Sequence, residues 1–176
     1  MPKKAKTPAY IIREANEADL PALVDFLAKL ALHVSGGPAM ALKDSEHDRL
    51  MRALRSTLAS GSKLIVVAEQ PGVGLVGMGD ISILSSPSIW EQAAETEHRS
   101  GVIDDVWVEP DYRNAGIFKA LLRKLVEFAD SQGAQELILE YSTSNKEAKT
   151  AWSRLGFVTT GVRAAAFTEQ VKEALI

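Results

Sequence analysis

The stretch Val102–Leu122, VIDDVWVEPDYRNAGIFKALL, decides how the chain is read. Val102 to Val108 is rich in β-branched and aromatic residues and has strand character, and Pro110 closes it because proline cannot donate to a sheet ladder. Ile117, Ala120, Leu121, Leu125 and Phe128 recur at helical spacing, which predicts a helix over 116–131. Between strand and helix lies Arg113-Asn114-Ala115-Gly116-Ile117-Phe118. Backbone N–H groups at a helix start have no intrahelical partner, and with the positive end of the dipole they can hold a phosphate. Gly116 permits close backbone approach, and Arg113 brings a charge for a phosphate oxygen. From these residues alone, an anion cradle and a plain strand-to-helix turn stand level.

Working outward, Ile11-Ile12 between Tyr10 and Arg13 reads as a first strand. Asn16-Glu17-Ala18-Asp19 supplies cap chemistry for a helix over 19–33, with Leu20, Leu23, Phe26, Leu27 and Leu30 on one face. Gly36-Gly37-Pro38 breaks it, and a second amphipathic helix over 44–59 turns Leu50, Met51, Leu54 and Leu58 inward. Residues 63–69 (KLIVVAE) and 75–83 form a hairpin about Pro71-Gly72. Neither GxGxxG after a strand nor GxxxxGK[ST] occurs, so Gly72, Gly74, Gly77 and Gly79 are assigned to turn and sheet packing. The polar stretch 85–100 reads as a surface loop, in which Trp90 and His98 are candidates to line an acceptor pocket. Residues 136–141 (ELILEY) are a strand, 145–155 a helix and 158–167 a last strand. The predicted order is β-α-α-β-β-β-α-β-α-β, a mixed α/β (α+β) sheet flanked by helices. The expected organisation is a disordered N-terminus over 1–9 and one domain over 10–176.

A chain of 176 residues, 46% apolar and 24% charged, has the composition of an ordinary globular domain. Its formal net charge of -3 gives no footprint for nucleic acid. The absence of cysteine excludes disulfides, thiolate metal sites and cysteine nucleophiles. His33, His47 and His98 lack metal-ligand spacing, and His33 and His47 read as surface helix residues. MPKKAKTPAY lacks the apolar core of a signal peptide, and no apolar run reaches the roughly 18 residues of a membrane span. The expectation is a cytoplasmic protein with no metal, no nucleic acid and no membrane partner.

The same central stretch resembles the coenzyme A-binding motif of the GNAT superfamily of N-acetyltransferases, a strand ending in V-x-P followed by an R-x-x-G-x-[GA] loop. Val108, Pro110, Arg113 and Gly116 match it, while Phe118 stands where the motif has a small residue. A second element of that family, N-x-x-A-x-x-x-[YW]-x-x-x-G-F, is matched by Asn145, Ala148, Trp152, Gly156 and Phe157. The family more often has tyrosine at the Trp152 position. The resemblance runs over 11–167 in the right order.

It implies an enzyme moving an acetyl group from acetyl-coenzyme A, as co-substrate, to an amine. The loop amides of Asn114, Ala115, Gly116, Ile117 and Phe118, with Arg113 beside them, would bind the diphosphate. Val106, Trp107 and Val108 would pair with pantetheine, and Asn145 would face the cofactor, with Trp152 packing on it. Phe118 has two readings, a core residue that leaves the site intact or a bulk that crowds the diphosphate.

An alkyl ammonium, with pKa about 10.4, must lose a proton before it attacks a thioester, and a nearby carboxylate can take it. Asp104 and Asp105 stand just upstream of the cofactor motif and resemble an acidic pair of several family members. Neighbouring strand residues face opposite ways, so one aspartate faces the cleft unless the strand bulges. Asp104 is assigned as base or water-positioner and Asp105 as orienting residue. A thiol leaves readily near its pKa of about 8.5, so a proton from water, Tyr141 or Ser142 suffices where indole is no acid. The expected acceptor is a small-molecule amine and the expected assembly a homodimer. The alternatives are a protein or peptide acceptor, and a module that binds acyl-coenzyme A without turnover.

Overall fold

Strands β1 (Ile11–Glu14), β2 (Lys63–Gln70), β3 (Gly74–Ser85), β4 (Arg99–Val108) and β5 (Glu136–Leu139) form one sheet in sequence order. In the computed structural model, which describes residues 10–36, 42–85, 98–161 and 165–175, the first four strands are antiparallel and β5 runs parallel to β4. The chain divides into one compact unit that ends at Glu140 and a second that begins at Tyr141.

In the first unit, helices α1 (Leu20–Ser35) and α2 (Asp44–Leu58) pack on one face of the sheet. Leu20, Leu23, Val24 and Phe26 of α1 and Leu54 of α2 meet Ile65, Val67, Met78 and Trp107 there. The entry to α1 is a capping box: Asn16 Oδ1 accepts from Ala18 N–H and Asp19 Oδ2 from Asn16 N–H. Arg13 clamps the same Asp19 carboxylate with two bonds of 2.7 and 2.9 Å.

Helix α3 (Ile117–Ser131) covers the opposite face, burying Ile117, Leu121, Leu122, Leu125 and Ala129. The approach is close because the strands present glycines. A Cβ on Gly77 would lie 2.8 Å from the Trp107 carbonyl oxygen, and one on Gly79 would lie 3.2 Å from Leu125 Cδ1. Sheet packing thus accounts for Gly77 and Gly79, and positive φ angles of 79° and 112° place Gly72 and Gly74 in the hairpin turn.

The second unit holds α4 (Lys146–Ser153) and α5 (Thr168–Ala174). Two expectations change. Strand β5 stops at Leu139, short of Tyr141, and no strand forms among the described residues of 158–167. The short run Val158-Thr159-Thr160 is followed by Gly161 and an alanine-rich segment that strands disfavour, and Val158 and Phe167 are 78% and 79% exposed. The TEQVKEA helix α5 was too short to declare a periodicity. The expected tail over 1–9 and most of the expected loop over 85–100, with Trp90, lie outside the described residues, and β4 already begins at Arg99.

Candidate active site

The β3–β4 ladder loses register at one point. Gly79 faces Val106 and Ile81 faces Ile103, so the single residue Asp80 opposes both Asp104 and Asp105. This is a β-bulge in β4, with two residues against one. Gly77, Gly79 and Ile81 lie on the α3 side, which puts Asp80 and Ser82 on the α1–α2 side with Met78. The bulge answers the question that alternation left open, since both aspartates are brought against that side. Ser82 Oγ donates to exposed Asp104 at 3.3 Å, and the Asp105 amide donates to Asp80 Oδ1 at 2.8 Å.

The three carboxylates influence one another. Burial, then the Asp104 charge, raises the pKa of Asp105. Asp80 is pushed up to about 7, chiefly by burial, then by the Asp105 and Asp104 charges, against the opposing pull of the Asp105 N–H and Lys63. Asp80 was not foreseen as a site residue. Its signal is a lone carboxylate in the apolar run Leu75–Ile83, on the face that also carries Met78.

Downstream of the bulge, β4 changes its company. Its pairing with β5 covers only Ser100–Ile103 against Glu136–Leu139, so Val106, Trp107 and Val108 have no β5 rung beside them. That open edge suits an extended amide-bearing chain. Trp107 is buried on the α1–α2 side, with His33 at 5.9 Å in edge contact and the Arg113 guanidinium 5.2 Å from its ring centre. His33 is an exposed residue of α1, as expected, and its ring edge also meets Trp107; that neighbour on β4 was not legible in the sequence. The Trp107 indole Nε1 is buried and makes no hydrogen bond within the protein.

Arg113 Nε donates to the Val108 carbonyl at 3.1 Å, so the arginine braces the end of β4 as well as flanking the loop. The turn that follows places Asn114 at φ 62° and Gly116 at φ 86°, and Gly116 caps α3 with no side-chain hydrogen bond to the helix start. Ile117 is buried on the sheet and Phe118 is half-buried. A helix of this length, opened by glycine and uncapped by any side chain, fits a diphosphate on the Asn114–Phe118 amides.

In the second unit, Asn145 is the N-cap of α4, its Oδ1 accepting from the Ala148 amide at 3.0 Å. Trp152 is buried with its ring edge-on to Phe157 at 5.3 Å, a packing role within that unit. Tyr141 is half-buried, and the Ser142 and Ser144 hydroxyls lie 2.7 Å apart. His98 stands beside Glu136 at 3.1 Å, where β4 and β5 begin. Among the described residues no cluster of acidic or histidine side chains could hold a metal ion, and no helix is long and apolar enough to cross a membrane.

Comparison with known proteins follows this geometry. The profile of the "Acetyltransferase (GNAT) family" matches residues 27–157. Glucosamine 6-phosphate N-acetyltransferase of Trypanosoma brucei brucei is 27% identical over 83% of this chain and 87% of its own. N-acetyltransferase 8 of Homo sapiens is 30% identical over 55% of this chain, a match that spans 38% of the human protein's length. Among solved structures, a predicted acetyltransferase of Clostridium acetobutylicum with acetyl-CoA superposes with a TM-score of 0.73 at 20% identity, over 92% of this chain and 97% of that one. Glucosamine-6-phosphate N-acetyltransferase from Arabidopsis thaliana gives 0.66 at 20% identity, over 90% and 98%. These share the fold, and the profile match over most of the chain carries the conclusion: this protein belongs to the acetyltransferase (GNAT) family, acyltransferases that draw on acetyl-coenzyme A.

Proposed function

We propose that this chain transfers an acetyl group from acetyl-coenzyme A to the amine of a small molecule, by direct attack in a ternary complex. The observation that carries this reading is the bulge of β4, which gathers Asp104 and Asp105 immediately before the open-edged segment Val106–Val108. A cationic amine is drawn to such a group of carboxylates and loses its proton there. Asp104, the exposed member, takes that proton directly or through water, and Asp105 orients the ammonium. The bound cofactor supplies the thioester; the Asn114–Phe118 amides and Arg113 bind its diphosphate end, and the Val106–Val108 backbone aligns its arm.

A small acceptor is favoured because the relative matched over most of both chains is named for a sugar phosphate amine. The proposal keeps the cytoplasm as the place of action and a homodimer as the assembly, which sedimentation velocity reads. Thiol release from acetyl-coenzyme A across a panel of small amines, peptides included, tests the activity. Turnover confined to peptides would transfer the reading to a protein acceptor. A thermal shift with acetyl-coenzyme A and no turnover on any amine would reduce it to a binding module.

A further inference from the structure

Residues 80, 104 and 105 drop out of the β3–β4 register together, and a bulge of this kind needs something to hold it. An amide on a strand face that is half-buried costs stability if it is left without an acceptor. Here the Asp105 N–H is met at 2.8 Å by Oδ1 of Asp80, the one residue that the bulge leaves opposite it. Asp80 lies between two glycines and a buried isoleucine, Gly77, Gly79 and Ile81, whose close packing on α3 anchors this part of β3. The carboxylate therefore projects from β3, packed on α3, onto the bulged strand β4. Sliding β4 by one residue to erase the bulge would return Asp104 and Asp105 to opposite faces and carry Trp107 out of the α1–α2 core.

We propose that Asp80 is a positioning residue for acetyl transfer: by accepting the Asp105 amide it fixes the β4 bulge that presents Asp104 and Asp105 together to the acceptor amine. The proposal rests on the acceptor-side reading of those two aspartates. Asp80 itself touches neither donor nor acceptor in this role. An asparagine at the same place keeps an oxygen acceptor for the amide and removes the charge, whereas alanine removes the acceptor.

The experiment compares the full-length wild type with Asp80→Asn and Asp80→Ala. It reads steady-state kinetics with acetyl-coenzyme A and a panel of small amines, and amide exchange at Asp105 by NMR. In Asp80→Ala the Asp105 amide should exchange about tenfold faster or more, and kcat/KM for the amine should fall about tenfold or more, as expected when a part-buried amide loses its acceptor. KM for acetyl-coenzyme A should rise as well, because Val106–Val108 follow the bulge in the same strand. Asp80→Asn should restore both readouts to within about threefold of wild type. Wild-type kinetics in Asp80→Ala would overturn the proposal, as would an asparagine variant as impaired as the alanine one, which would assign the effect to charge. If the wild type turns over no amine, it is the function proposed above that fails. The Asp105 exchange rates still decide whether Asp80 holds the bulge, and unchanged rates in Asp80→Ala overturn that.

Discussion

Asp80 keeps its proton through a pH range in which an unfolded aspartate has already lost it. Between the ordinary value of 3.8 and about 7, the native chain binds more protons than the unfolded one at this position, so stability falls as pH rises through that window. Asp105, raised in the same direction by burial and Asp104, adds to the slope at its lower end. The groups facing Asp80 are Asp104 and Asp105 on β4 and Lys63 on β2; only Lys63 opposes the rise with a charge. Urea unfolding should show wild-type stability declining from pH 5 to pH 8 by something on the order of 2–3 kcal/mol, with Asp80→Asn flatter and the more stable chain at pH 8. Parallel slopes in the two proteins would place the titration elsewhere. For Asp104→Asn, the expected loss in kcat is about a hundredfold or more, with the acidic limb of the pH–rate profile displaced. An acidic limb and turnover like those of the wild type would remove Asp104 from the chemistry. Asp104 and Asp105 were legible in the sequence because they sit beside a recognisable motif. Asp80 was not, because its role depends on which residue lies across the ladder, and that is set by pairing between distant segments.

At the level of elements, the constraint runs through glycine. Gly77→Ala puts a methyl group within 2.8 Å of the Trp107 carbonyl, a backbone atom with nowhere to go unless β4 moves. Overpacking of this kind costs about 1–3 kcal/mol, seen as a lower melting temperature. Because the displaced strand is Val106–Val108, calorimetric titration should also show weaker binding of acetyl-coenzyme A. Gly116→Ala acts differently: φ of 86° is strained for any L-residue, at roughly 1–2 kcal/mol, while the new Cβ would sit at 3.4 Å from the Tyr10 hydroxyl. Titration should again show weakened donor binding, and donor affinity equal to wild type would separate the loop from the diphosphate. Helices α1, α2 and α3 were read within a few residues because their apolar stripes are continuous over three or more turns. The bulge, the early end of β5 and the lack of a strand among the described residues after Phe157 escaped for one reason. Each depends on a partner strand, and a run such as Val158-Thr159-Thr160 says what would tolerate pairing and not whether a partner is there.

For the molecule as a whole, two motifs on separate segments identified the family where either alone left the choice open. Composition and charge only narrowed the field, since a net charge of -3 and no cysteine suit many unrelated folds. Saturating donor should stabilise the folded chain by about 2.7 kcal/mol at a hundredfold excess over its dissociation constant, measured as a rise in melting temperature. No rise would remove the site from the Asn114–Phe118 loop. The chain carries three tryptophans, and Trp107 has a guanidinium over its ring, 5.2 Å from the centre. Indole emission responds to the field of a nearby charge, and a diphosphate drawn to the neighbouring loop changes that field. Trp107 is thus a built-in optical gauge: acetyl-coenzyme A should shift the emission of the wild type and of Trp152→Phe, and shift that of Trp107→Phe much less.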